Sequence, residues 1–387
     1  MGNVKIFRST DAGAPTLYGN AGYLIPILDA CLVNGYGQQN VTSLSNNAGL
    51  VTVTTTSNHL LTSASRQTIA GSSDNAYNGE FVITVTGGNT FTYTTTGITN
   101  NNPTGTITTK TASAGWTKPY NTTNIGVYRG GSGLQHYYRF DDTVTNAARV
   151  VGYETMSGVS TGTNAFPSNT QFAGGLYWIK STTADATNAR PWIMYADDKT
   201  MYMWVQYYTF DYSGVTMHGM GEFTPIAAGD AYTSFLSANT GTSYSVTQFG
   251  LLGLSIGVNL QSTVTGMYSP RSYTQLGTSV VLGKIGDSSK AAQSWMGNGG
   301  LLPYPHPVDN GLYMCPIGVT ENGVAGGQSY LRGTLRGIWN PLHALPLAHL
   351  DTFAGNGAFA GKTFQALSFC PGTSSLGQAF FDTSLTW

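Results

Sequence analysis

Two acidic pairs, Asp141-Asp142 and Asp197-Asp198, are where this chain could do chemistry. A glycosidase needs two carboxylic acids about 5–10 Å apart across the scissile bond. Neighbouring residues on a strand or turn point in different directions, and each pair sits between two aromatic runs. The pattern therefore favours turn residues over an ion site, and an ion site over a catalytic pair. The histidines, His59, His136, His218, His306, His343 and His349, are dispersed; Pro346 separates the last two, which rules out the i,i+4 spacing of a helical zinc site. Three cysteines, Cys31, Cys315 and Cys370, are an odd count without metal spacing and predict buried free thiols. No nucleophile elbow, phosphate loop or dinucleotide fingerprint is present. The sequence thus nominates no catalytic, cofactor-binding or metal-ligating residue, and a non-enzymatic role is expected.

A run of rings, Tyr177-Trp178, Trp192, Tyr195, Tyr202, Trp204 and Tyr207-Tyr208, offers a different chemistry. Aromatic faces stack on sugar rings, and uncharged Asn and Thr can bond their hydroxyls. The alternative is that these rings fill a β core or a subunit interface, where aromatics also concentrate. The core or interface reading is the stronger.

The elements that must position these groups are mostly strands. Leu24, Ile27, Leu28, Cys31 and Leu32 recur at helical spacing, so one helix is expected from about Gly22 to Val33, stopped by Asn34-Gly35. Pro26 is tolerated only in the first turn, which places the start near Tyr23. Short aromatic strands then recur every ten to fifteen residues from 126 to 207 with Gly, Asn and Asp between them, as in a sandwich or barrel. From about Val280 the pattern is looser, although Leu331 to Trp339 reads as a kinked strand. No heptads or longer repeats appear, which argues against a fibre shaft.

One stretch differs from the rest. Residues 43–112 hold 19 threonines and only four charged residues, Arg66, Asp74, Glu80 and Lys110. Alternating runs such as Leu50 to Thr54, Phe81 to Thr86 and Thr90 to Thr94 are separated by Asn78-Gly79 and Gly87-Gly88-Asn89. The expected organisation is a host domain, 1–42 and 113–387, divisible near 280, carrying an inserted small Ig-like or barrel-like β domain at 43–112. The host is expected to be an antiparallel β-sandwich or barrel with one N-terminal helix, so the whole chain is mainly β. The guest core should be Val51, Val53, Ile69, Phe81, Ile83, Val85, Phe91 and Tyr93.

Composition narrows the partners. Charged residues are 9% of the 387, against about 25% in an average soluble protein. Net charge is −1, so nothing electrostatic favours nucleic acid or an anionic membrane. No run approaches 18 apolar residues, and no membrane span is expected. Met1 to Arg8 lacks the apolar core of a signal peptide, so synthesis in a reducing cytoplasm is expected. A surface of hydroxyls and amides has little charge to keep copies apart.

Val4 to Pro15, Leu28 to Gly37, Gly115 to Pro119, Val127 to Arg129, Arg190 to Trp192 and Leu331 to Pro341 together resemble a group of virion structural proteins from tailed bacteriophages. The inserted stretch is similar, at Tyr77 to Gly79 and Thr90 to Tyr93, to small β domains of phage and bacterial surface proteins. The resemblance covers most of the chain outside 43–112. It implies a structural role in the virion and carries over no catalytic residues and no cofactor. The implied partners are other virion proteins of the capsid, neck or tail, and further copies of this chain. A receptor- or glycan-binding tail protein, with host surface glycan as ligand, remains the alternative.

Overall fold

The structure is a computed structural model describing residues 3–99, 101, 103–134, 136–208, 214–241, 252–253, 266–285, 302–322, 329–343, 347–369, 377–384 and 386–387. It is mainly antiparallel β with one short helix near the N-terminus. The helix is tight over Ile25–Leu28 and continues with wider π-type turns over Asp29–Asn34, with Pro26 in the first turn as its missing N–H requires. It starts later than the apolar spacing suggested. The N–H of Leu24 is instead bonded from afar by Asp142 Oδ2 at 2.7 Å. Leu24, Ile27, Leu28, Cys31 and Leu32 are fully buried. Gly35 ends the helix at φ +72°, where a Cβ would collide with the Thr111 carbonyl oxygen.

Strands Lys5–Arg8, Trp192–Ala196, Thr200–Gln206 and Val215–Glu222 pair in that order and form the middle layer. Its side chains alternate between two cores. Trp192, Met194, Met201, Met203 and Val205 face one, while Ile193, Tyr195, Tyr202 and Trp204 face the other. Burial on both faces explains why these strands read as near-continuous apolar runs.

The first core is closed by the helix and by a second sheet, in which Thr117–Thr122, Ile125–Arg129, Tyr137–Asp141 and Ala147–Met156 pair in sequence. Strands Gly162–Phe166 and Leu176–Ile179 share the outer edge of Ala147–Met156. The second core is closed by the C-terminal strands. Val215–Glu222 pairs with Ser234–Ser237, which leads through Met267–Ser269, Val280–Ile285 and Met314–Asn322 to Ser329–Pro341. Ser329–Pro341 then pairs with Thr224–Pro225, the continuation of the first strand beyond Phe223. The ring is therefore closed, around Phe223, Phe235, Met267, Leu282, Ile317, Val319 and Leu335. The described residues after Val280 are thus paired more regularly than their composition suggested, and Val280–Ile285 pairs with strands on both sides of that position.

The threonine-rich stretch forms a separate sheet of seven strands in the order Gly79–Val82, Arg66–Ala70, Thr108–Thr111, Tyr36–Asn47, Leu50–Thr55, Thr90–Thr94, Thr84–Gly87. The two end strands are consecutive in the chain, interrupted only by Ile83. Tyr36–Asn47 bends in the same way, pairing first with Thr108–Thr111 and then with Leu50–Thr55. Two corner strands shared between the halves make this a barrel rather than an open sandwich. Its core holds Val51, Val53, Ile69, Ile83, Phe91 and Tyr93 as the alternation predicts, and adds Leu44, Tyr77 and Ile107. Phe81 and Val85 are only partly buried; Phe81 stacks on Tyr93 with centroids 4.1 Å apart.

Candidate interaction surface

Each of the four paired aspartates has a structural occupation. Asp142 is fully buried and pairs with Lys180 Nζ, itself fully buried, while its other oxygen takes the Leu24 N–H. Lys180 also donates to the carbonyls of Asn20 (2.7 Å) and Val144 (3.1 Å). Burial pushes the Asp142 carboxyl up and the Lys180 ammonium down, each opposed by the other's charge. Asp141 faces outward, accepting from Thr143 Oγ1 at 2.6 Å and pairing with Arg139 at 3.1 Å. Asp197 builds a turn, its Oδ1 taking the N–H groups of Lys199 and Thr200, while Oδ2 bonds Arg336 at 2.7 Å. Asp198 accepts from Ser132 Oγ at 2.6 Å. Neither sequence pair acts as a pair.

The aromatic run lies inside. Trp178, Trp192, Tyr195, Tyr202, Trp204 and Tyr207 are buried, and Tyr177 is covered by the Arg149 guanidinium, 4.1 Å from its ring centroid. Their hydroxyls and N–H groups tie layers together: Tyr195 to Gln365 (2.7 Å), Tyr202 to the Arg336 carbonyl (2.9 Å) and Trp192 to the Pro15 carbonyl (3.1 Å). These six buried rings are closed to a sugar, while Tyr177 and Tyr208 are partly buried. Among the described residues no three His, Cys, Asp or Glu side chains gather as a metal site, and no helix is long and apolar enough to cross a membrane. Cys31 is a buried free thiol whose pKa burial raises. Cys315 is only half-buried, not buried as expected, and lies opposite Asn340 in the neighbouring strand. Cys370 lies outside the described residues.

Two histidines are held neutral by burial. His218 is driven down to about 3 and His136 to about 4. His218 Nε2 accepts the Ile179 N–H at 3.1 Å, so the proton of the neutral ring sits on Nδ1. Protonating Nε2 would remove the acceptor that holds strand Leu176–Ile179. Because folding depresses both pKa values, the unfolded chain binds protons first, and stability falls as pH drops below about 6.5. From pH 6.5 to 5 the expected loss is about 1.5 kcal/mol per histidine. Urea unfolding at several pH values checks this; a midpoint that does not move over that interval would contradict it.

The densest polar cluster was not apparent from sequence. Arg332, with 1% of its side chain exposed, makes a two-pronged bond to Asp230 (2.7 and 3.0 Å) and reaches Glu321 at 3.2 Å. It also donates to Ser269 Oγ and to the carbonyls of Arg271 and Tyr232. Phe223 lies beneath its guanidinium, 5.4 Å from carbon to ring centroid. Next to it Arg271 grips Glu154 of the second sheet with bonds of 2.6 and 2.9 Å. Burial pushes the Glu154 carboxyl up, but its bonds to Arg271 and Asn164 outweigh this and hold it below the ordinary range. These two arginines lock one end of the closed ring to the neighbouring sheet. Exposed apolar side chains, Ile226, Tyr273, Leu276, Tyr330 and Leu331, belong to the same segments.

No family model matches the chain, and no curated protein matches it. Among solved structures it is similar to a phage phi92 endosialidase at 8% identity and a TM-score of 0.16, over 92% of this chain. The chain spans about half, 52%, of that protein's length. At such a TM-score the likeness carries no argument about fold or activity.

Proposed function

We propose that this chain is a non-enzymatic structural component of a tailed-phage virion, decorating or reinforcing the head, neck or tail through protein–protein contacts. The observation that carries the reading is the placement of charge. In a chain with so few charged residues, Lys180–Asp142, Arg332–Asp230 and Arg336–Asp197 are internal bridges. They stiffen the layered body and leave a surface dominated by hydroxyls and amides. That suits packing against many neighbours better than selecting a charged substrate. The resemblance of the host segments to phage virion proteins points the same way. Quantitative mass spectrometry of purified particles tests the reading: the chain should be present in many copies per particle. Its restriction to the unassembled lysate would refute it.

The threonine-rich barrel is, in this reading, a guest on the virion surface. Its first and last strands meet at the pair Tyr36 and Thr111, so its ends lie side by side. Replacing residues 38–110 by a short Gly-Ser linker is expected to leave the host folded, since loop closure changes only slowly with length. Circular dichroism and thermal unfolding check this; an unfolded host would show that the barrel is part of its core.

One feature favours glycan binding as a second role. The 302–313 loop exposes Tyr304, packed on His343, and Tyr313, whose hydroxyl donates to Asp309 at 2.5 Å; Asp309 also meets His306 Nδ1 at 3.0 Å. Rings next to hydroxyl-bonding groups are the equipment for holding a sugar. Binding to immobilised host polysaccharide that disappears in Tyr304→Ala would support it, and no binding by the intact chain would exclude it.

A further inference from the structure

Six asparagines are followed directly by glycine: Asn34, Asn78, Asn298, Asn310, Asn322 and Asn356. A glycine has no side chain to shield its own amide nitrogen. That nitrogen can attack the side-chain carbon of the asparagine before it and displace ammonia. Composition alone ranks the six equally, but their surroundings differ. Asn298-Gly299, and Gly323 after Asn322, lie outside the described residues.

Three pairs are held away from this reaction. The Gly35 N–H donates to the Ala30 carbonyl at 2.8 Å, closing the end of the helix. Asn78 is fixed at both ends of its amide: Oδ1 accepts the Ser72 N–H and Nδ2 donates to the Ser72 carbonyl, each at 2.9 Å. The Gly311 N–H donates to Asp309 Oδ1 at 3.0 Å, and so is engaged by that carboxylate and not by Asn310. In each pair, a hydrogen bond to a third residue must open before the nitrogen can meet the carbon.

Asn356 is arranged in the opposite sense. The Gly357 N–H donates to Asn356 Oδ1 at 2.6 Å, which sets the nitrogen beside the very carbon that carries that oxygen. Asn356, Gly357 and Ala358 are all exposed, so solvent reaches the N–H proton. Nothing lies within 4 Å of the point where a Gly357 Cβ would stand. Asn356 Nδ2 has no partner among the described residues, so the leaving group is not held back.

We propose that Asn356 is a site of spontaneous deamidation, converting ahead of the other three as the folded chain ages. Solvent hydroxide takes the Gly357 amide proton, and the nitrogen forms a bond to Asn356 Cγ. The Cγ–Nδ2 bond then breaks, and ammonia leaves after taking a proton from water. Water opens the resulting five-membered imide, giving aspartate by attack at Cγ or isoaspartate by attack at the main-chain carbonyl. One water is consumed, one ammonia is released, and nothing is oxidised or reduced. Both products add a carboxylate to a chain whose net charge is −1. Isoaspartate also reroutes the main chain just ahead of the turn that sets Phe359 against Trp339 and Phe364, at 4.7 and 5.6 Å between ring centroids.

Incubating the full chain in mildly alkaline buffer, folded and in urea, tests the proposal. Digestion at acidic pH and mass spectrometry of the peptides then follow each asparagine. In the folded chain Asn356 is expected to convert about 10-fold or more faster than Asn34, Asn78 and Asn310, which need local opening first. In urea the four rates should converge, because only the Asn-Gly sequence then matters. Asn356→Gln should remove the reaction from that position, since attack there must close a larger ring. Asn356 that stays intact in the folded chain while the urea-treated chain reacts overturns the proposal. A folded chain in which all four convert at one rate overturns it as well. Aspartate formed without any isoaspartate overturns the route through the imide.

Discussion

Replacing Arg332 by alanine is expected to cost about 3–5 kcal/mol, because it strands two carboxylates in the interior. Asp230 keeps only 1% of its side chain exposed and Glu321 8%, so neither can turn to water. The carbonyls of Tyr232 and Arg271 and the hydroxyl of Ser269 lose their donor at the same time. Arg332→Lys should fall between, since an ammonium restores the charge but not the planar fork that Asp230 grips. Because Arg332 ties strand Ser329–Pro341 to the loop before Ser234–Ser237 and to the end of Met267–Ser269, the loss should appear in the global transition. Urea unfolding of the three proteins measures it; a cost below about 1 kcal/mol for the alanine variant would mean that the network contributes little net stability.

Lys180→Met should be comparably severe, about 3–5 kcal/mol, since Asp142 has no exposure at all and would remain without a counter-charge. The informative protein is the double variant Lys180→Met with Asp142→Asn. Asparagine is neutral and keeps an oxygen for the Leu24 N–H, so the bond just ahead of the helix survives while the stranded charge is gone. The double variant is expected to recover most of the loss, leaving a coupling energy of about 2 kcal/mol or more between the positions. Additive effects in the double-mutant cycle would show that Lys180 acts through its bonds to Asn20 and Val144, not through Asp142.

What the sequence made legible followed physical periodicity. The three-and-four spacing of Leu24, Ile27, Leu28, Cys31 and Leu32 marked the helix, and the aromatic runs marked the middle strands, because packing on a buried surface dictates residue type. Ring closure was illegible for the same reason. Thr224–Pro225 is too short to show alternation, and its proline signals a turn. Phe81 to Thr86 reads as one strand, yet it breaks at Ile83, whose N–H turns to the Ser65 carbonyl at 3.1 Å. The first half of Tyr36–Asn47 carries Gly-Gln-Gln-Asn, so a change of composition near 43 conceals strand pairing that begins at Tyr36. The Arg332 cluster was hidden because Asp230 lies about a hundred residues away and stands alone. In a chain so poor in charge, two arginines inside one strand, Arg332 and Arg336, were the available signal.

The side-by-side ends of the barrel also bear on how the chain finds its fold. The host needs Ala114 N–H on the Cys31 carbonyl and Trp116 N–H on the Leu32 carbonyl, contacts that span about eighty residues of chain. Such distant pairings are slow to form when the intervening chain is a coil. The barrel's hairpins, Tyr36–Asn47 with Leu50–Thr55 and Thr84–Gly87 with Thr90–Thr94, are local and can form early. Once Tyr36 and Thr111 are paired, the helix and Trp116 are only a few residues apart along the effective chain. A segment inserted into the host would then shorten the host's search instead of lengthening it.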